Sequence, residues 1–174
     1  RSANSNQEDP QKCLVELVLG EDGSPFSLQN FNFISNIVSH ISGGSGLVLT
    51  CTSEKEIIFD HCNFQSNKAS NNNGGGLSLV TSEINDKLNF TFNTCNFIGN
   101  QATNGGALFI TTTNDFNIES CTFDNNIATT SAGAIYINIG AIPEERTIHI
   151  TRCIFTHNQA QSQEVNRYPS GIYL

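Results

Sequence analysis

Positive charge is scarce in this chain. Lys and Arg together number 8 against 16 Asp and Glu, a formal charge of −8 over 174 residues. Affinity for nucleic acid comes chiefly from cations meeting phosphates, and attraction to an anionic membrane surface needs a basic cluster too. Composition therefore argues against both partners. No apolar run approaches the roughly 18 residues of a membrane-spanning helix, so this segment is not expected to insert into a membrane. There is no C-x-x-C motif, and His40, His61, His149 and His157 are not spaced with thiols as zinc ligands are; no metal or cofactor is expected. Thr111-Thr112-Thr113 and Thr129-Thr130 do not recur along the chain, which removes the regular Thr array of an ice-binding surface. Charged residues of both signs make up 14%, against about 25% in an average domain. No signal peptide opens the chain, which starts at Arg1 without Met. The expectation is an excised piece of a larger surface-protein precursor.

Asn, Ser, Thr and Gly take the place of charge, beside 12 Phe and a hydrophobic fraction of 37%. Such aromatic and β-branched content is foreign to disordered chains; it suits a polar-surfaced, all-β, extracellular protein. Residues 1–12 show no periodicity and read as a flexible lead-in, while 13–174 form one repeat domain.

Five units begin at residues 26, 57, 90, 116 and 148. The first half of each is Φ-x-Φ-x-x-[C/F]-x-F-x-x-N, Φ being apolar. Its second aromatic position holds Phe33, Phe64, Phe97, Phe123 and Phe155, and its Asn is Asn36, Asn67, Asn100, Asn126 and Asn158. The second half is a small-residue turn and another Φ-x-Φ. It reads Gly46-Leu47 in the first unit, Gly75-Gly76-Leu77 in the second and Gly105-Gly106-Ala107-Leu108 in the third. Gly133-Ala134-Ile135 and Ser170-Gly171-Ile172 follow in the fourth and fifth.

Alternating side chains put both members of each Φ-x-Φ on one face of a strand. The two-residue gap before Cys-x-Phe breaks that period and marks a corner. Each unit thus reads as three short strands facing one interior, which a single unit cannot bury but stacked units can. The expected fold is a right-handed, single-stranded parallel β-helix of about five rungs, the hand following the rule for parallel crossovers. Rungs about 4.8 Å apart give a rod on the order of 24 Å long. A β-sandwich is the competing fold, but it does not require the same inward pattern in every unit. Asn at the corner tolerates left-handed backbone, and stacked amides can bond along the ladder. Ala69, Ala102, Ala128 and Ala160 read as small core fillers.

Cys62, Cys95, Cys121 and Cys153 share one ladder position, where Phe31 stands in the first unit. A slot that accepts Phe suggests packing, so buried free thiols are expected there. Disulfides between rungs are the alternative, disfavoured because parallel neighbours do not easily reach the required dihedral. Cys13 and Cys51 fall outside the ladder and form a candidate disulfide.

The unit C-x-F-x-x-N-x-A followed by G-G-A-[IL] resembles the repeat of chlamydial-type polymorphic outer-membrane proteins. The residues carrying the resemblance run from Phe64 to Asn67 with Gly74-Gly75-Gly76-Leu77, from Phe97 to Asn100 with Gly105-Gly106-Ala107-Leu108, and from Phe123 to Asn126 with Ala132-Gly133-Ala134-Ile135. The first and fifth units keep F-x-x-N but have degenerate glycine halves. The resemblance implies a surface-exposed β-helical passenger of an autotransporter-like protein, anchored in the outer membrane by other parts of the precursor. It also implies adhesion to host cells, with the F-x-x-N and G-G-A motifs linked to attachment, and a host-cell receptor, surface protein or glycan as partner. Similar repeats occur in large surface proteins of protists.

Read from the residues alone, Phe, Asn and Gly of the motif are scaffold. Contact then falls to the loops at 68–73, 140–147 and 159–169. A polysaccharide-binding or polysaccharide-cleaving β-helix is the alternative reading. Cleavage needs grouped carboxylates, and Asp60, Glu119 and Asp124 supply only scattered ones, so no catalytic residue is assigned. Asn89-Phe90-Thr91 is a glycosylation sequon if the source is eukaryotic. The last rung ends on Leu174 without a polar cap, and its open edge is expected to continue or to pair with a partner.

Overall fold

A computed structural model describes residues 16–19, 24–39, 45–51, 56–81, 88–139, 147–162 and 171–174. Among these residues there are 21 strands and no helix. The strands form four parallel sheets. Sheet I stacks Phe26–Gln29, Glu56–Asp60, Asn89–Asn93, Phe116–Glu119 and Ile148–Thr151. Sheet II stacks Asn32–Ile34, Asn63–Gln65, Asn96–Ile98, Thr122–Asp124 and Ile154–Thr156. Sheet III stacks Ile37–Val38, Lys68–Ala69, Gln101–Asn104, Ile127–Ser131 and Gln159–Ala160. Sheet IV stacks Glu16–Leu19, Leu47–Cys51, Leu77–Thr81, Leu108–Thr112, Ile135–Ile139 and Ile172–Tyr173. The chain visits sheets I, II, III and IV in turn and then returns to sheet I. The result is a parallel β-solenoid of about 4 turns.

Sheet III is a strand per turn more than the sequence reading of three. Its members are two to five residues long, too short for apolar alternation to announce them. They exist because Asn and Ala, two residues apart, both face inward, as in Asn100 and Ala102.

The core consists of vertical ladders. Phe33, Phe64, Phe97, Phe123 and Phe155 stack with ring centroids 4.8–4.9 Å apart and planes within 7°. Parallel strand spacing sets that interval. Phe59 and Phe92 stack at 4.9 Å beside them and meet the first ladder edge-on. Leu47, Leu77, Leu108, Ile135 and Ile172 align in sheet IV. Ala69, Ala102 and Ala128 are buried and Ala160 is half-buried. At the N-terminal end of the ladders Leu28, Phe33 and Val38 are buried, whereas at the other end Ile148, Ile150, Phe155 and Ile172 are half-buried.

Two left-handed corners recur in all five turns, and a third, at Gly74, Gly105 and Ala132 with φ of 57–69°, leads into sheet IV. The first is Asn30, His61, Thr94, Ser120 and Arg152, with φ of 52–58°; the second is Ser35, Ser66, Gly99, Asn125 and His157, with φ of 53–66°. The ladder Asn is therefore not the left-handed residue, as the sequence reading had it, but the residue after it. Small or polar side chains carry the strained backbone outward. The corner N–H groups bond the next turn, for example His61 to the Asn93 carbonyl at 3.0 Å and Ser66 to the Ile98 carbonyl at 2.9 Å. The Asn is thereby left free to turn its amide inward.

The glycine turn into sheet IV works by close approach. A Cβ on Gly106 would meet the Gly133 carbonyl oxygen at 2.3 Å and the Ile127 backbone at 2.7 Å. Ser45 holds this place in the first turn, its hydroxyl donating to the Gly75 carbonyl. Gly106→Ala should destabilise the fold by about 3 kcal/mol, since backbone must move. Gly171→Ala, with open space around its Cβ, should stay within about 1 kcal/mol of the parent. Urea unfolding of the two variants checks the difference.

Candidate functional site

Buried motif residues cannot touch a partner directly, so their placement decides where a site can be. Phe64, Phe97, Phe123, Leu77, Leu108, Ile135, Ala107 and Ala134 are fully enclosed, and Phe33 nearly so. Gly75, Gly76, Gly105, Gly106 and Gly133 are buried in the turn; Phe155 is half-exposed at the open end.

The Asn residues form a continuous amide ladder. The Asn67 Oδ1 accepts from both the backbone N–H and the Nδ2 of Asn36, at 3.0 and 2.9 Å. Asn100 does the same for Asn67, Asn126 for Asn100, and Asn158 for Asn126. The second Nδ2 proton goes to a ladder Phe carbonyl: Asn67 to Phe33, Asn100 to Phe64, Asn126 to Phe97 and Asn158 to Phe123, at 2.8–2.9 Å. Asn67, Asn100 and Asn126 are wholly buried, Asn36 almost so, and Asn158 half-buried. The amides brace the corner and leave no face for a ligand.

The thiols follow the same logic. Cys62, Cys95 and Cys121 are buried and unbridged, and Cys153 is half-buried and unbridged. Phe31, their counterpart in the first turn, is 47% exposed and lies over Phe33 at 6.4 Å. The slot therefore does not hold a Phe ring; it holds a thiol. Cys51 is buried, but Cys13 lies outside the described residues, and so does the candidate disulfide between them. Of the loop candidates, residues 140–146 and 163–169 also lie outside.

The loop at 68–73 is described and borders sheet III. The outward positions Ile37, Lys68, Gln101, Ile127 and Gln159 stand in register along that sheet. A shallow groove of about 400 Å³ runs across it, lined among others by Lys68, Asn71, Gln101, Thr103, Thr129 and Gln161. Asn72, which follows the lining residue Asn71, accepts from the Thr103 N–H through its carbonyl at 2.6 Å. The Asn72 Nδ2 is buried and has no hydrogen-bond partner among the described residues. The groove thus offers amides, hydroxyls and one ammonium, with no carboxylate in its lining. Sequence reasoning reached the loop but not the sheet face, because it did not see sheet III.

The three acids of the cleavage alternative are each engaged with other side chains. Asp60 accepts from Asn93 at 2.7 Å and lies 2.9 Å from the His61 ring. Glu119 pairs with Arg152. Asp124 accepts from the Thr156 hydroxyl at 2.7 Å and meets the His157 Nδ1 at 2.9 Å. The Thr156 hydrogen bond, then the His157 contact, holds the Asp124 carboxyl below the usual carboxylate range. Among the described residues no three His, Cys, Asp or Glu side chains are grouped to hold a metal ion. No described helix is long and apolar enough to cross a membrane. Asn89 and Thr91 of the sequon share the outer face of sheet I, both half-buried.

With this geometry in view, the match to a known repeat family falls on one turn. The profile of the Chlamydia polymorphic membrane protein repeat matches residues 120–138. The chain carries this repeat. The matched stretch runs from the Ser120 corner through Phe123 and Asn126 and along the sheet IV strand Ile135–Ile139 as far as Asn138. A segment of the Metabotropic glutamate receptor-like protein P of Dictyostelium discoideum is 33% identical over 129 residues, 74% of this chain and 8% of that protein. The chain therefore spans a small part of that relative's length. No solved structure matches the chain.

Proposed function

We propose that this solenoid is a non-catalytic surface module of the adhesin type, a passenger that attaches a cell to a host cell or another surface. The observation that carries the reading is the burial of the repeat: Phe97 and Asn100, both wholly enclosed, leave contact to the outward side chains. The ladders hold up a surface, and the groove on sheet III is the part of it best furnished for recognition. Amides and hydroxyls suit a neutral glycan or a polar protein surface, because they can donate and accept toward hydroxyls without a charge to desolvate. The polymorphic membrane protein repeat supports a cell-surface setting, with anchorage by other parts of a larger protein. The coil is taken as right-handed, the hand that parallel crossovers adopt in nearly all cases. The half-exposed apolar side chains Ile148, Ile150 and Ile172 at one end suit self-association end to end.

Binding of the purified chain to a panel of cells and immobilised glycans tests the proposal. Gln101→Ala with Gln161→Ala should weaken binding at least about tenfold, the loss of one or two polar anchors, while leaving the melting curve unchanged. Retained binding in that double variant, or turnover of any glycan in the panel, would overturn the reading.

A further inference from the structure

Cys62, Cys95, Cys121 and Cys153 stand in one column, in successive turns of the solenoid. Packing alone does not call for sulfur in each of them, because the small inward positions of sheet III are filled by Ala69, Ala102 and Ala128. Cys95 and Cys121 are wholly buried, and each has a described turn above and below it. The registers Asn93 with Glu119 and Asn96 with Thr122 bracket the two residues and set them opposite each other. Both sulfurs stand in the same relation to the turn beneath. The Cys95 thiol donates to the Phe59 carbonyl at 3.4 Å, and the Cys121 thiol to the Phe92 carbonyl at 3.6 Å. The sulfurs are therefore offset by about one turn, which the rings two residues further on, Phe97 and Phe123, measure at 4.9 Å.

That offset decides what the two thiols can do together. Side-by-side Cβ vectors on parallel neighbours oppose the dihedral of a disulfide. A cation between the sulfurs asks for no such rotation, since each side chain enters across the stacking axis and the metal bonds run along it. Two metal–thiolate bonds in line, each about 2.3 Å as for zinc, span about 4.6 Å, close to the 4.9 Å of one turn. One further contact favours charge on sulfur. The Cys95 backbone N–H donates to the Cys121 sulfur at 3.3 Å, and a hydrogen bond to the charged form of a group favours that form.

We propose that Cys95 and Cys121 form a two-coordinate site for a soft, closed-shell monovalent cation of the Cu(I) and Ag(I) class, held in line between the two sulfurs. Thiolate is the ligand that such ions select. A tetrahedral ion is not served, because among the described residues no three His, Cys, Asp or Glu side chains are grouped to hold one. On binding, both thiols release their protons to solvent and two sulfur–metal bonds form; no electron changes hands. Two thiolates and one monovalent cation leave a single negative charge. A buried charge needs a hydrogen bond, and the Cys95 N–H supplies it. The Phe59 and Phe92 carbonyls lose only S–H donors, which are weak. The two residues are 26 apart in the chain, so only the fold presents them as a pair, and the bound ion stabilises it. Both sulfurs are enclosed, so the ion enters as the sheets open locally and loading is slow.

Silver(I) is the probe, since it needs no reductant. It is titrated into the folded chain carrying Cys13→Ser and Cys153→Ser, which keeps those two thiols out of the count. Native mass spectrometry should find one silver ion per chain, X-ray absorption should find two sulfur neighbours, and the melting midpoint should rise. Binding should weaken as pH falls, because protons compete for both sulfurs. Adding Cys95→Ser or Cys121→Ser should remove both the retained ion and the rise in midpoint, whereas Cys62→Ser should keep both. Melting without silver shows whether each variant is folded. No silver retained, an ion held equally well after Cys121→Ser, or the same rise with zinc(II) would each overturn the assignment. The neighbour count needs neither Ser variant of the pair: one sulfur, or three and more, would overturn it even where those variants fail to fold.

Discussion

Asn100→Ala should cost about 4 kcal/mol of folding stability, with the outward surface chemically unchanged. The estimate follows from the bonds one amide makes. Asn100 Nδ2 donates to the Phe64 carbonyl at 2.8 Å and to the Asn126 Oδ1 at 3.0 Å, while its own Oδ1 accepts two bonds from Asn67. Truncation removes all four from a site with no solvent contact. The Asn67 N–H loses its acceptor, and a buried group left without a partner costs about 1–3 kcal/mol. The Asn100 backbone N–H keeps its bond to Asn126, so the loss lies in the amide. Asn158→Ala removes a like set at the half-buried end, where water can replace the missing groups, and should cost about 1 kcal/mol. Asn100→Asp keeps the acceptor but sets carboxylate oxygen against two acceptors, and should be no milder than Ala. Denaturant unfolding of the three variants gives the ranking; equal costs at positions 100 and 158 would mean that the ladder does not hold the corner.

The repeat made the architecture legible because a solenoid writes its core into the sequence once per turn. Phe97 and Leu108 announce inward positions by recurring at Phe64 and Leu77, and no long-range pairing has to be guessed. What recurs can still be assigned to the wrong job. Asn100 repeats as faithfully as Phe97, and Asn is a good left-handed residue, so the pattern points it to the strained backbone position. The structure gives that position to Gly99, with φ of 66°, and to Ser66, with φ of 55°. Those places vary in residue type from turn to turn, since any small or polar side chain pointing outward will serve, and variable positions leave little signal. Sheet III was hidden for a related reason: Gln101 between Asn100 and Ala102 is one alternation, too short to be distinguished from a loop. The groove is hidden with it, because Lys68, Gln101 and Gln161 come together only when four turns are stacked.

Phe31 carried a different lesson. Its alignment with Cys62 suggested a slot sized for an aromatic ring, whereas the ring lies half out of the fold. Alignment fixes where the backbone is, and the end of a stack releases the side chain from the packing that its counterparts obey. The buried thiols of the middle turns follow from their size and weak polarity.

The aromatic ladder supplies the second large effect. Phe97 is wholly buried, with Phe64 stacked at 4.8 Å on one side, Phe123 at 4.9 Å on the other, and Phe92 meeting it edge-on. Phe97→Ala empties that place in the middle of the column. Neighbouring rings cannot close the gap, because each is held at strand spacing by its own sheet hydrogen bonds. The expected cost is about 4 kcal/mol. Phe97→Leu refills much of the volume and should cost about 1.5 kcal/mol. Phe31→Ala, at a ring already 47% exposed, should cost about 1 kcal/mol or less. The milder variant also separates scaffold from contact. Phe97→Leu, assayed well below its melting temperature, should bind cells and glycans as the parent does, since Gln101 and Thr103 still stand on an intact sheet III. Loss of binding in a folded Phe97→Leu protein would make the motif itself the recognition element, and the groove would lose its claim.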